Sequence, residues 1–168
     1  LGFPSQKYHA HTVWFLRDAG LQGNLFAEYY MGGFLGYWLA PELKTFVNGS
    51  LNVTQDAIDS NLPIRERRGA RDGETFAELL DRQNVEIFMG IRLPRQGSPT
   101  RPWFHTTAHL EGAPGWIQIF RNLSSAVYLR DTQTGRANLE NVASYYQAPG
   151  LPFDAARGFE PAAVIDVH

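Results

Sequence analysis

The chain has no cysteine, and only two lysines and two methionines occur among its 168 residues. Without cysteine there are no disulfides, no thiolate nucleophile and no cysteine-ligated metal, and the redox compartment is left open. There is little net charge, −2 at neutral pH, which argues against nucleic acid as a partner because such partners call for a strongly basic face. No apolar run approaches the ~20 residues that a membrane-spanning helix requires. Also missing are a P-loop, a glycine-rich dinucleotide fingerprint and a nucleophile elbow, so no cofactor is expected.

What is present is a hydrophobic fraction of 43%, enough to build one sizeable core. Short apolar runs at about residues 24 to 29, 44 to 48, 85 to 91, 116 to 120 and 126 to 130 read as five strands of one sheet. Helical periods lie between them, near 8 to 19, 32 to 39, 56 to 68 (broken at Pro63) and 74 to 82. The order predicts an α/β, layered, Rossmann-like fold with a mixed, mostly parallel sheet of about five strands. Helices should cover both faces, and the last two strands, joined through Asn122-Leu123-Ser124-Ser125, should form an antiparallel edge hairpin. The α/β domain is expected over residues 1 to 137. Residues 138 to 168, rich in proline and glycine with a short helix at 138 to 146, are expected to pack over it or lead onward.

The most informative stretch runs from Gly23 to Ser50. Leu25, Phe26 and Ala27 read as a buried strand that delivers Glu28 beside Tyr29, Tyr30 and the Gly32-Gly33 turn. Strand exits of this kind are where open α/β sheets place ligands, and glycine lets another backbone approach closely. Glu28, Tyr29, Tyr30, Gly32, Gly33 and, at the exit of the second strand, Asn48 are therefore the candidate substrate-binding residues. A plainer reading makes Glu28 a helix cap and the aromatics Phe34, Tyr37 and Trp38 a core face.

The motif Gly32, Gly33, Phe34, Leu35, Tyr37, Trp38, Leu39 and Pro41, followed by Phe46, Val47, Asn48, Gly49 and Ser50, resembles a known pattern. It is similar to that of the soluble C-terminal extracytoplasmic domain of bacterial polytopic membrane proteins related to GT-C type glycosyltransferases, the dolichyl-phosphate-mannose mannosyltransferase-like enzymes. The strand VEIFMGIRLP, the Gly115-Trp116-Ile117 strand and the strand SAVYLRD extend the likeness over about residues 8 to 131. Where that family has Asp-Gly-Arg, this chain has Asn48-Gly49-Ser50, so neither ionisable group stands at that strand exit. The resemblance implies a periplasmic location as part of a membrane protein, with the transmembrane region of the parent as partner and a glycan or lipid-linked sugar as a ligand class. The order from Glu28 to Trp38 also has a distant analogy to the acceptor-binding Trp-Trp-Asp-Tyr-Gly segment of oligosaccharyltransferase catalytic subunits.

Other features are weaker. His105 and His109 are four apart, a spacing that places metal ligands on one face if the run is helical; no third ligand is apparent, so no metal is expected. Arg65, Arg67, Arg68 and Arg71 form a basic stretch interrupted by Glu66, Asp72 and Glu74, which reads as a mixed solvated face before it reads as an anion patch. Two functions follow from the sequence. The first is a non-catalytic accessory or interaction domain of a membrane-embedded glycosyltransferase-like protein. The second is a domain that contributes acceptor- or lipid-linked-sugar-binding residues to a membrane-embedded transfer site. A free-standing enzyme is disfavoured because no nucleophile and base assemble from the pattern.

Overall fold

A computed structural model describes residues 9 to 46, 54 to 92 and 105 to 160. The element order is α1 (Ala10–Asp18), β1 (Gly23–Phe26), a 3-10 turn (Tyr29–Met31), α2 (Gly32–Leu39), β2 (Leu43–Thr45), α3 (Gln55–Arg65), α4 (Phe76–Arg82), β3 (Ile87–Ile91), β4 (Trp116–Arg121), β5 (Ser125–Arg130) and α5 (Gln133–Gln147). The five strands form one sheet in the order β2-β1-β3-β5-β4.

Alternation along the strands sorts the core into two layers, because successive side chains point to opposite faces. Leu25, Ile87, Met89, Val127 and Leu129 face one way and pack with Phe15 and Leu16 of α1, Leu35 of α2, and Leu139, Val142 and Tyr146 of α5. Phe26, Phe88, Ala126 and Tyr128 face the other way, onto Ile64 of α3 and Leu79 and Leu80 of α4. Helices thus cover both faces. The ends of α3, α4 and α5 are set locally by threonine caps. Thr54 accepts from the Ala57 amide and Thr132 from the Gly135 amide, while Thr75 and Glu78 form a reciprocal capping box.

The sheet corrects the expectation of a mostly parallel arrangement. β1 runs parallel to β2 and β3, but β5 is antiparallel to β3 and to β4, and these two antiparallel ladders are the longer ones. The fully buried run of β3 fits a central strand, yet burial does not fix the direction of its neighbour. The returning strand β5 inserts beside it and leaves β4, kinked between Gln118 and Phe120, as the edge. Three boundaries also differ. β1 ends at Phe26, so Glu28 has already left the sheet. α3 is continuous through Pro63; the residue four before it, Asp59, is exposed, so its carbonyl can turn to water. α5 begins at Gln133, ahead of the expected residue 138, and crosses from the first predicted region into the second.

Gly135 explains that earlier start: a Cβ there would lie 1.9 Å from the Arg130 carbonyl oxygen, so the first turn of α5 docks only without a side chain. At Gly90 in β3, a Cβ would meet the Thr106 carbonyl oxygen at 2.3 Å. Gly33 and Gly36 in α2 are the opposite case, since a Cβ on either would touch nothing within 4 Å. Gly90→Ala should therefore lower stability by about 1–3 kcal/mol through overpacking. Gly33→Ala and Gly36→Ala should raise it by about 0.4–1 kcal/mol by removing unfolded-chain entropy. Chemical denaturation of the three variants checks this, and a destabilised Gly36→Ala protein would show that α2 is packed on all sides.

Candidate functional site

The chain leaves β1 toward β2 on one side and returns through α3 and α4 to β3 on the other side. The gap between the carboxyl ends of β1 and β3 is consequently the point where the winding reverses, the place where an open sheet leaves a crevice. The segment Ala27 to Tyr30 stands on one side of it and Arg92, the residue after β3, on the other. Because β5 runs against β3, with Ile91 opposite Ser125, the turn before β5 reaches the same end. The start of α1 arrives there too. Thr12 and Ser125 share a hydroxyl hydrogen bond of 2.5 Å, His9 Nδ1 lies 3.2 Å from Ser124 Oγ, and the Arg92 amide donates to the Ser124 carbonyl at 2.6 Å.

Glu28 is 3% exposed, and its Oε2 sits 2.7 Å from Arg65 Nε. Its second oxygen, Oε1, is buried with no hydrogen-bond partner. Burial raises the pKa of this carboxyl above the ordinary glutamate value, and the charges of Arg65 and Arg92 act against that rise. Arg65 is the last residue of α3, and its carbonyl accepts a 2.7 Å hydrogen bond from the His109 ring Nε2–H. Tyr29 and Tyr30 flank the carboxylate on the outside, 53% and 42% exposed. The Arg92 guanidinium lies over the Tyr30 ring, 5.8 Å from its centre. Burial raises the Tyr30 pKa, the Glu28 charge adds to the rise, and the Arg92 charge opposes it.

Of the residues expected at the site, Glu28, Tyr29 and Tyr30 come together at this crevice. Gly32 is buried at the start of α2 and Gly33 is exposed on its outer side. Asn48 lies outside the described residues. His105 and His109 do not share a helical face, because residues 105 and 106 have no regular structure and 107 to 112 form turns, and among the described residues no group of three or more acidic or histidine side chains could hold a metal. The basic stretch is dispersed by pairing: Arg65 turns inward to Glu28, Arg68 pairs with Glu66, and Arg71 pairs with Asp56. Sequence reasoning missed Arg92, His9 and the inward role of Arg65. The signal for Arg92 was its position directly after the longest apolar strand run.

His9 and Ser124 have the spacing of a base and a nucleophile, but their surroundings argue for structure. Burial first, and the Arg92 charge second, push the His9 imidazole down to about 4, which makes it a poor base near neutrality. Ser124 Oγ donates to Asn122 Oδ1 at 3.2 Å, and the amides of Ser124 and Ser125 donate to the same oxygen. That arrangement closes the turn before β5. Compared with protein-family models, curated proteins and solved structures, the chain matches none.

The depressed His9 pKa has a definite sign in stability. The unfolded imidazole takes up a proton near 6.5 and the folded one near 4, so the stabilising effect is complete above 6.5 and is lost as pH falls toward 4. His109, whose pKa burial also lowers, acts in the same direction, while the raised Glu28 pKa opposes it. His9→Asn, a residue that accepts the left-handed backbone found there (φ 50°), should flatten the fall in denaturation midpoint between pH 7.5 and 4.5. An unchanged slope would show that His9 is solvated.

Proposed function

We propose that this chain is a non-catalytic interaction domain, working on the extracytoplasmic side of a membrane-embedded glycosyltransferase-like protein. The observation that carries the reading is the outer side of α2. This helix contains only glycine, leucine and aromatic residues. Leu35 and Leu39 take up the inner side, which leaves Tyr37 80% and Trp38 37% exposed. Beside them Gly33 and Gly36, three apart, hold open space where side chains would stand. An uncharged aromatic strip next to small residues is the surface that another helix approaches closely, and aromatic side chains of this kind also sit at the boundary between membrane and water. The partner that fits is the helical, membrane-embedded part of the parent protein, as the sequence resemblance implies.

Two further observations support this reading. The buried Glu28 is engaged by Arg65, and the histidine and serine brought together at the crevice are held as a turn closure. The helices on both sheet faces, with α2 on the face away from α3 and α4, support reading the domain as a Rossmann-like layered fold. A second reading, in which Glu28, Tyr29 and Tyr30 contribute acceptor or lipid-linked-sugar contacts to the transfer site, is favoured by their position at the carboxyl end of β1.

The isolated chain should show no turnover on nucleotide sugars, phosphoesters or acyl esters. A photoreactive amino acid at position 37 in the intact parent protein should cross-link to its membrane-embedded helices, and Trp38→Ser should reduce the yield several-fold without moving the thermal midpoint of the isolated domain. Cross-linking only to lipid or to unrelated soluble proteins would contradict the reading.

A further inference from the structure

We propose that the pocket between the edge strand β2 and the facing ends of α3 and α4 binds a small hydroxylated carboxylate, with Lys44 pairing the carboxylate and Asn24 Oδ1 and Gln83 Oε1 accepting from the hydroxyl. The pocket is on the sheet face opposite α2 and shares no residue with the crevice at Glu28. It therefore goes beyond the function proposed above and stands or falls separately.

The pocket exists because the helical layer ends before the sheet does. α3 and α4 cover Phe26 and Phe88, but β2 is the outermost strand, beyond β1. Pairing sets Lys44 beside Asn24 on that same face. Phe46, two residues on, packs its ring 5.6 Å from Phe26 and walls one side. Ala57 of α3, with Gln83 and Asn84 at the end of α4, walls the other. The space between them is about 200 Å³, below the ~300–1,000 Å³ of sites for drug-sized ligands, so the occupant is small.

What the walls can still offer selects the ligand. Lys44 is the one charged residue among the seven that line the pocket, and its ammonium pairs with no group among the described residues. A cation is thus disfavoured there and an anion favoured. Two of the surrounding carboxylates are engaged, Asp56 by Arg71, Arg82 and Gln83 and Glu86 by the Asn24 amide. Glu42, exposed two residues before Lys44, is the charge that opposes an anion. Both carboxamides have their N–H groups committed: Asn24 Nδ2 donates to the Asn84 carbonyl at 3.2 Å, and Gln83 Nε2 to Asp56 Oδ2 at 2.6 Å and Ser60 Oγ at 2.9 Å. Each is left with a carbonyl oxygen to offer, and neither oxygen is shut away from solvent. Such neutral acceptors call for a hydroxyl, since a carboxylate has no proton to give and an ammonium would meet the charge of Lys44. Asn84 sits at φ 51°, a left-handed backbone that asparagine accepts, and its side-chain amide supplies a further donor for the carboxylate.

The test is a titration of the folded chain, followed by amide chemical shifts, with four probes. Glycerate and lactate carry a carboxylate and a hydroxyl, acetate carries the carboxylate alone, and glycerol carries hydroxyls alone. At least one of the first two should give saturable shifts centred on residues 24, 44 to 46, 83 and 84. Acetate and glycerol should bind about tenfold more weakly or not at all, since each lacks one recognition group. Lys44→Gln should weaken binding about tenfold or more. Asn84→Gly, which keeps the left-handed backbone, should weaken it severalfold, and neither change should move the thermal midpoint. Glu42→Gln should bind at least as tightly as the parent sequence, and Trp38→Ser should leave binding as it is. The proposal is overturned if neither bifunctional probe shifts these amides, if acetate or glycerol binds as well as they do, if Lys44→Gln binds like the parent sequence, or if Glu42→Gln binds more weakly. Loss of binding on Trp38→Ser would assign the shifts to the α2 strip and would also overturn it.

Discussion

A carboxylate buried at the end of a central strand has to be neutralised, and in this fold the neutralising group comes from the far end of another helix. Glu28 lies two residues past the end of β1 and meets Arg65 at the last turn of α3. The contact fixes where α3 stops against the sheet. The Arg65 carbonyl then anchors His109, and the turns that carry His109 also carry Thr106 and Thr107, which bond to Ile91 and Arg92 at the end of β3. One ion pair therefore links the ends of both parallel strands that border the crevice. Removing one member of such a buried pair is expected to cost about 3–5 kcal/mol, because the remaining charge stays out of water.

The antiparallel half of the sheet completes that end of the molecule. Had β5 run parallel to β3, its first residues would lie at the opposite edge. Running against it, β5 brings the Asn122 turn to Arg92 and to the start of α1. The crevice is thus walled by polar groups that hold one another, while α2, on the outside of β1 and β2, carries no such network. A polar network and an uncharged aromatic strip thus occupy two neighbouring surfaces, and Tyr29 and Tyr30 stand where they meet.

Much of this was legible in the sequence, for physical reasons that differ by element. The five strand runs were readable because each is short, apolar and bounded by turn residues. The strand exit at Glu28 was readable from the carboxylate following Leu25-Phe26-Ala27. The inner side of α2 was not: the spacing of Phe34, Tyr37 and Trp38 points to an aromatic core face, yet Leu35 and Leu39 turn inward and leave Tyr37 and Trp38 exposed, because a helix apolar on every side carries no polar face to orient it. The partner of Glu28 was not readable. Arg65 is 37 residues away in a run of mixed charges, and nothing local separates it from Arg67 or Arg68, which point outward. The direction of β5 was equally hidden, since Ala126 to Leu129 are buried on both sides whichever way the strand runs. The early start of α5 depended on Gly135 meeting the Arg130 carbonyl, a contact made by the fold and absent from the helical pattern.

The most direct test is a double-mutant cycle on the ion pair, read by urea unfolding. Glu28 is the more deeply buried member, its side chain 4% exposed against 21% for Arg65. Arg65→Met alone should therefore be the most damaging variant, at about 3–5 kcal/mol, because it strands a buried carboxylate. Glu28→Gln alone should cost less, and adding it to Arg65→Met should restore most of the lost stability. A double variant whose loss equals the sum of the two single losses, within about 0.5 kcal/mol, would show that the two side chains are uncoupled and would contradict the account.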